Sequence, residues 1–261
     1  MGAIEALKKG FGVATGSMPL VIVLFVFGLI WNVLNIFLAP ETPEGATVQQ
    51  SVFLVAGGII FILLTIFVQG GSMAYIRDKI KKGAAEFSVF TQSGTRYYLR
   101  LLAIGLVIGL VVGIFVLLAS LTFALLQQTA AAAGIAVAVV FGLIGLAVVI
   151  LMFLAPYIVV TEEAKAIDSI KRSVTFVKKQ LWPVLGMFGL LIVMGFAFGL
   201  VVGLVYALIG LAVPEGRVSQ IIFSILSGFV NSFLGVIVTA SFLAYYLANS
   251  GSRSAANSFN S

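Results

Sequence analysis

Six long apolar stretches constrain this chain more than anything else in it. They lie at about residues 18–38, 51–75, 98–126, 130–160, 182–212 and 219–248, and Arg100, at the mouth of the third, is the one charged residue among them. A helix needs about 20 apolar residues to cross the hydrocarbon of a bilayer. Every stretch supplies them, and stretches of this length are too long for a signal-peptide core. Composition agrees: 61% of the residues are hydrophobic, 9% are charged, and the mean hydropathy is +1.21. So little charge cannot cover a soluble fold of this size, so lipid is the solvent for most of the molecule. The expected fold class is all-α integral membrane, with six transmembrane helices.

The connections alternate in character. LAPETPEGATVQ (38–49), QQTA (127–130) and VPEGRVS (213–219) hold a single cation, Arg217, whereas the other side carries 14 of the 15 Lys and Arg residues. Lysine and arginine are enriched in cytoplasmic loops, which places both termini and both long links in the cytoplasm. All nine acidic residues lie outside the spans, and the chain has no histidine and no cysteine. Thiol and imidazole chemistry are thereby excluded. An intramembrane ionisable residue would mark a proton relay or an ion path. Without one, a proton-coupled transporter, a pump and an intramembrane protease are all disfavoured. The sequence predicts no enzyme and no catalytic, cofactor-binding or metal-ligating residue.

One segment differs from the rest. AIDSIKRSVTFVKKQLWP (166–183) packs four cations into 18 residues. Ile167, Ile170, Val174, Val177 and Leu181 follow helical spacing, and Asp168, Lys171, Arg172, Thr175, Lys178 and Lys179 take the other face. A helix of this kind lies flat in the interface with its cations near anionic headgroups. Trp182 suits the headgroup level and Pro183 the first turn of the next span. Asp168 stands four residues before Arg172, at ion-pair spacing.

The segment is echoed at the N-terminus. At an offset of 163, Ala3, Ile4, Glu5, Leu7, Lys8 and Lys9 match Ala166, Ile167, Asp168, Ile170, Lys171 and Arg172. A weaker copy, FSVFTQSGTRYYLRLL (87–102), pairs Phe90 and Ser93 with Ile170 and Ser173. The even spans end alike, in SMAYI (72–76), LAPYI (154–158) and FLAYYL (242–247). The expected organisation is one membrane domain, 1–248, made of three parallel hairpin repeats at about 3–80, 81–165 and 166–248. An interfacial amphipathic helix precedes each hairpin, and a flexible polar tail spans 249–261.

The candidate interface residues, for anionic headgroups, are Lys8, Lys9, Arg77, Lys79, Lys81, Lys82, Lys171, Arg172, Lys178, Lys179 and Trp182. Topological anchoring accounts for this pattern more simply than specific recognition does, although the same residues suit a cytoplasmic or membrane protein partner. The interleaved Glu162, Glu163 and Asp168 weaken a nucleic-acid reading. Gly105, Gly109 and Gly113, and Gly195, Gly199 and Gly203, form rows four apart that suit close helix packing. They permit a homo-oligomer without requiring one. The polar residues of the spans, Asn32, Asn35, Thr65, Gln69, Ser120, Thr122, Ser224, Ser227, Asn231, Ser232, Thr239 and Ser241, are expected to bond between helices. The acidic-basic signature of mitochondrial carriers, an aquaporin NPA and a phosphate-binding glycine loop are all absent.

At APYIVVTEEAKAIDSIKRSVTFVKKQLWPVLG (155–186) the chain resembles the six-span membrane domain fused to some bacterial glycerophosphodiester phosphodiesterases, and that domain's stand-alone prokaryotic relatives. Ala166, Ser173, Val177 and Trp182 carry the likeness. The resemblance implies a prokaryotic cytoplasmic (inner) membrane. It does not imply phosphodiesterase activity, which in the fused proteins belongs to a separate soluble domain with catalytic histidines. Taken together, the expected function is a non-enzymatic scaffold, anchor or accessory membrane subunit. The alternative is a passive conduit or transporter for lipid or uncharged small molecules.

Overall fold

A computed structural model describes residues 1–38, 48–126, 131–211 and 216–258. Among the described residues the chain is helical and contains no strand, in the order α1 (Ala3–Thr15), α2 (Met18–Leu38), α3 (Val48–Lys82), α4 (Phe87–Leu126), α5 (Ala131–Met152), α6 (Ala155–Glu162), α7 (Ala166–Lys179), α8 (Leu181–Gly210) and α9 (Arg217–Ser258). Six helical stretches are long and apolar enough to cross a membrane. The predicted class therefore holds. The short connections at 38–49, 127–130 and 213–219 fall mostly outside the described residues, as does the Arg217 side chain.

The chain forms two compact units, Met1–Thr95 with Trp182–Ser261, and Arg96–Leu181. In the first, α1 and α2 pack along α9, and α3 packs on α9 and α2. Phe61 stacks between Phe27 and Trp31, with ring centres 4.7 and 4.6 Å away, and so fixes the α2–α3 seam. In the second unit, α7 packs on α5 and α6.

Three expectations about the elements change. The 87–102 segment is not a separate interfacial helix but the start of a single 40-residue α4. Where the other two copies carry Pro19 and Pro183 at the start of a span, this one has Ala103, so nothing interrupts the helix. The fourth span breaks at Phe153 and Leu154 and resumes as α6. Pro156 explains this, since it lacks an N–H and its ring crowds the carbonyl four residues back. The tail expected to be flexible from Asn249 begins as helix, because α9 continues to Ser258.

Two helix ends have a clear local cause. Asp168 sits in the first turn of α7 and Lys178 and Lys179 in its last, which suits the helix dipole at both ends. Gly83 closes α3 at φ 76°, with its N–H donating to the Lys79 carbonyl at 3.1 Å. Left-handed backbone there favours glycine.

Candidate functional site: the basic segments and the span ends beneath them

The buried core gathers where the spans meet the basic segments. Met73, Ala74, Tyr75 and Ile76 of α3 are buried, as are Leu154, Ala155, Tyr157 and Ile158 at α6, and Phe242 through Tyr246 of α9. These are the three similar span endings. Each lies under one of the basic segments, and in every case the approach uses small residues.

On α1 the buried positions are Ala6, Gly10, Val13 and Ala14, and on α7 they are Ser169, Ser173, Phe176 and Val177. Every pair is 163 residues apart. The face turned to the protein therefore only partly matches the apolar stripe read from the sequence: Val177 is buried, Ile170 and Val174 are half-buried, and the rest of the stripe points outward. Ile167 is 64% exposed, and Ile4, Phe11 and Leu181 are exposed as well. The helices have three faces: small residues together with Val13, Phe176 and Val177 against protein, further aliphatic residues outward, and cations beside them. A two-face reading assigns burial to the most apolar stripe; in a lipid solvent, apolar side chains need not be buried in protein.

The contacts are close. A Cβ on Gly10 would collide with Ser241 Oγ and lie 2.7 Å from the Ile237 carbonyl, so α1 touches α9 backbone to backbone. At the start of α4, a Cβ on Gly94 would meet the Phe67 ring at 2.7 Å, and one on Gly71 would meet the Phe90 carbonyl at 2.5 Å. On α7, Ser173 Oγ donates to the Leu151 carbonyl at 2.7 Å, capping the end of α5 where Pro156 interrupts the ladder. Gly71 and Ser241 each stand three residues before the alanine of their span ending.

Helix packing thus falls on other glycines than those read from the sequence. A Cβ on any of Gly105, Gly109, Gly113, Gly195, Gly199 or Gly203 would have nothing within 4 Å. The polar residues of the spans also act differently. Thr65 donates to the Phe61 carbonyl, Thr122 to Leu118, Ser227 to Phe223, Ser232 to Gly228 and Asn35 to Trp31, each four residues back on its own helix. Short polar side chains find the i−4 carbonyl first.

The cations divide into tethered and free. Asp78, 5% exposed, accepts from Arg77 at 2.7 Å and from Lys82 at 2.8 Å. Sequence reasoning passed over Asp78, although its i,i+4 spacing to Lys82 was a readable signal. Arg172 pairs with Glu162 and not with Asp168. Glu163, at the α6–α7 turn with φ 54°, is a second missed residue. Its carboxylate accepts from Arg96 at 2.5 Å and from the Tyr97 hydroxyl at 3.4 Å, and its carbonyl from Arg100 at 2.7 Å. Nothing local announces a contact across 67 residues. Lys8, Lys9, Lys81, Lys171, Lys178 and Lys179 are exposed, Lys79 is half-buried, and none of the seven makes an ion pair among the described residues. Lys79 runs over Gly16 at the end of α1, with Cε 3.6 Å from where a Cβ would stand. Trp182 is 81% exposed.

The described residues hold no group of three or more His, Cys, Asp or Glu side chains that could bind a metal. What the basic segments offer is charge, at span ends that are otherwise packed shut.

Six apolar crossings with basic segments packed on their ends define a multi-pass, all-α membrane protein. The chain belongs to a family described as a domain of unknown function (DUF7847), whose model matches residues 1–248. No curated protein and no solved structure matches it.

Proposed function

We propose that this is a non-enzymatic multi-pass component of a prokaryotic cytoplasmic membrane, with both termini cytoplasmic, which scaffolds or anchors a partner at its basic segments. The observation that carries this reading is where the packing lies. The close contacts and most of the buried core sit at the span ends beside those segments, while the aliphatic faces of the spans remain exposed. Such a fold invests its order in presenting the basic surface. Free lysines on α1, α3 and α7 suit anionic headgroups, about 1 kcal/mol each near an anionic surface, and an acidic protein face equally. Kinship with the six-span domains of the phosphodiesterases is part of this proposal and rests on the 155–186 stretch. Three parallel repeats are part of it too, supported by the matching buried positions of α1 and α7.

The test is co-purification in mild detergent, comparing wild type with a variant carrying Lys171→Gln, Arg172→Gln, Lys178→Gln and Lys179→Gln. A partner that is retained by wild type and lost by the folded variant supports the reading. A protein that stays folded and retains none removes its basis. Orientation has its own test. The chain lacks cysteine, so one cysteine introduced at Ser252 reports the side of the C-terminus to an impermeant maleimide.

A second reading, a passive conduit or transporter for lipid or uncharged small molecules, is favoured by one observation, a crevice between α8 and α9.

A further inference from the structure

Within the first unit, two aromatic contacts join α8 and α9. Phe188 meets Phe242 with ring centres 5.0 Å apart, and Tyr206 meets Phe223 at 4.7 Å. Between them lies a cavity of about 220 Å³ lined by Gly195, Gly199 and Gly203 on one wall and by Phe223, Ser227 and Asn231 on the other. The glycines leave room where side chains would close the gap.

Asn231 singles the crevice out. It lies about 18 Å along the helix from Ser219 at 1.5 Å per residue, near the middle of a hydrocarbon core about 30 Å thick. Asn231 is exposed at the mouth of the crevice rather than buried in protein, and against hydrocarbon an unsatisfied amide costs several kcal/mol. Asn35 escapes that cost by donating to the Trp31 carbonyl at 2.9 Å. Asn231 makes no such bond, and its carboxamide has no partner among the described residues. Ser227, one turn away, has its proton engaged by the Phe223 carbonyl and an acceptor still open. A dry hydrocarbon chain alone would leave the carboxamide unpaired. No charged side chain lines the cavity, so an ionised group would lie there uncompensated. The volume is below the roughly 300 Å³ at which sites for whole drug-sized molecules begin, so it admits one segment of a longer molecule.

We propose that this crevice binds an uncharged lipid through a hydroxyl or carbonyl that bonds Asn231, with the apolar body lying against Gly195, Gly199 and Gly203. The inference deepens the second reading by naming its ligand class, and it stands without any flux. The test uses the full chain in lipid nanodiscs and two photoactivatable probes, a diazirine-bearing hexadecanol and the matching hexadecane diazirine, with labelled peptides mapped by mass spectrometry. The alcohol should label residues 195–203 and 227–234 about five-fold more than the alkane, which corresponds to about 1 kcal/mol. Asn231→Leu should bring that ratio to about one, and Gly199→Leu, which fills the crevice, should abolish labelling by both. Labelling that is equal for the two probes, or unchanged in Asn231→Leu, overturns the proposal, as does no labelling at all, which would mean that water fills the site. Transfer of the alcohol between vesicles separates the two ideas. Selective labelling without transfer upholds the site and sinks the conduit; transfer that survives Asn231→Leu without selective labelling sinks the site alone.

Discussion

At the scale of single residues, two glycine populations in one chain answer to different solvents. Gly10 and Gly94 stand where a side chain would strike backbone or ring, whereas Gly105 and Gly109 face open space. Gly10→Val and Gly94→Val should each cost about 1–3 kcal/mol through overpacking, and Gly109→Val should stay within about 0.5 kcal/mol. Thermal unfolding in detergent micelles measures both. Spacing made the rows that pack against no helix conspicuous and left the close-contact glycines inconspicuous, because a four-residue period reports that a smooth face exists and not that a helix meets it. Glu163 supplies a second contrast. Its left-handed backbone costs a non-glycine residue about 1–2 kcal/mol, while its exposed ion pair with Arg96 returns about 0.2–1 kcal/mol. Glu163→Ala loses the pair and keeps the strain, whereas Glu163→Gly relieves the strain. Glycine should therefore be the milder of the two, read as slower protease cleavage at the α6–α7 turn.

At the scale of elements, all six apolar spans were legible, since a bilayer accepts few alternatives to a long apolar helix, although α3, α4 and α9 each run several residues beyond the apolar stretch that marks them. What the sequence hid was how those helices join. Prolines at positions 19, 156 and 183 mark the places where one helix gives way to another, and Ala103 marks the place where none does. The amphipathic helices were found, but the face they bury was only partly found, at Val177, because serine and glycine read as polar or neutral while serving as much of the contact surface. Ser173 is the sharpest case, being both a contact residue and the cap on the Leu151 carbonyl. Ser173→Ala should cost about 0.5–1.5 kcal/mol by removing that part-buried hydrogen bond. Faster hydrogen exchange confined to α5's last turn and α6 would register the loss; unchanged exchange there would mean that the cap is idle.

At the scale of the whole molecule, charge asymmetry told more than any motif. The 14 cations on one side predict orientation, and the quadruple glutamine variant on α7 should reduce affinity for anionic relative to neutral bilayers by about 1 kcal/mol for each of the unpaired lysines Lys171, Lys178 and Lys179, and by less for Arg172, which Glu162 already pairs, measured as lipid enrichment around the protein by native mass spectrometry. Asp78 and Glu163 could not be weighed from composition, since each offsets cations that a simple count treats as free. For function, the absence of ionisable residues from the spans narrowed the classes early. The crevice beside Asn231 was invisible to that reasoning, for its polar residue was one of twelve scattered along the spans and its shape is a property of two helices together.

The length of the helices has a thermodynamic consequence. At 1.5 Å per residue, α3, of 35 residues, runs about 52 Å and α4, of 40, about 60 Å, against a hydrocarbon thickness of about 30 Å. Their basic ends must stand in the headgroup zone or beyond, and the buried side chains of the span endings stand near them. Lipid offers helices no hydrophobic drive to associate, but water does. Packing at those ends is therefore governed by water, with a positive heat capacity of opening and sensitivity to urea. Urea should release α1 and α7 while the crossings keep their helicity. Far-ultraviolet circular dichroism would change little while cysteine introduced at Ala14 became reactive. The membrane would then hold the chain in place without holding it folded.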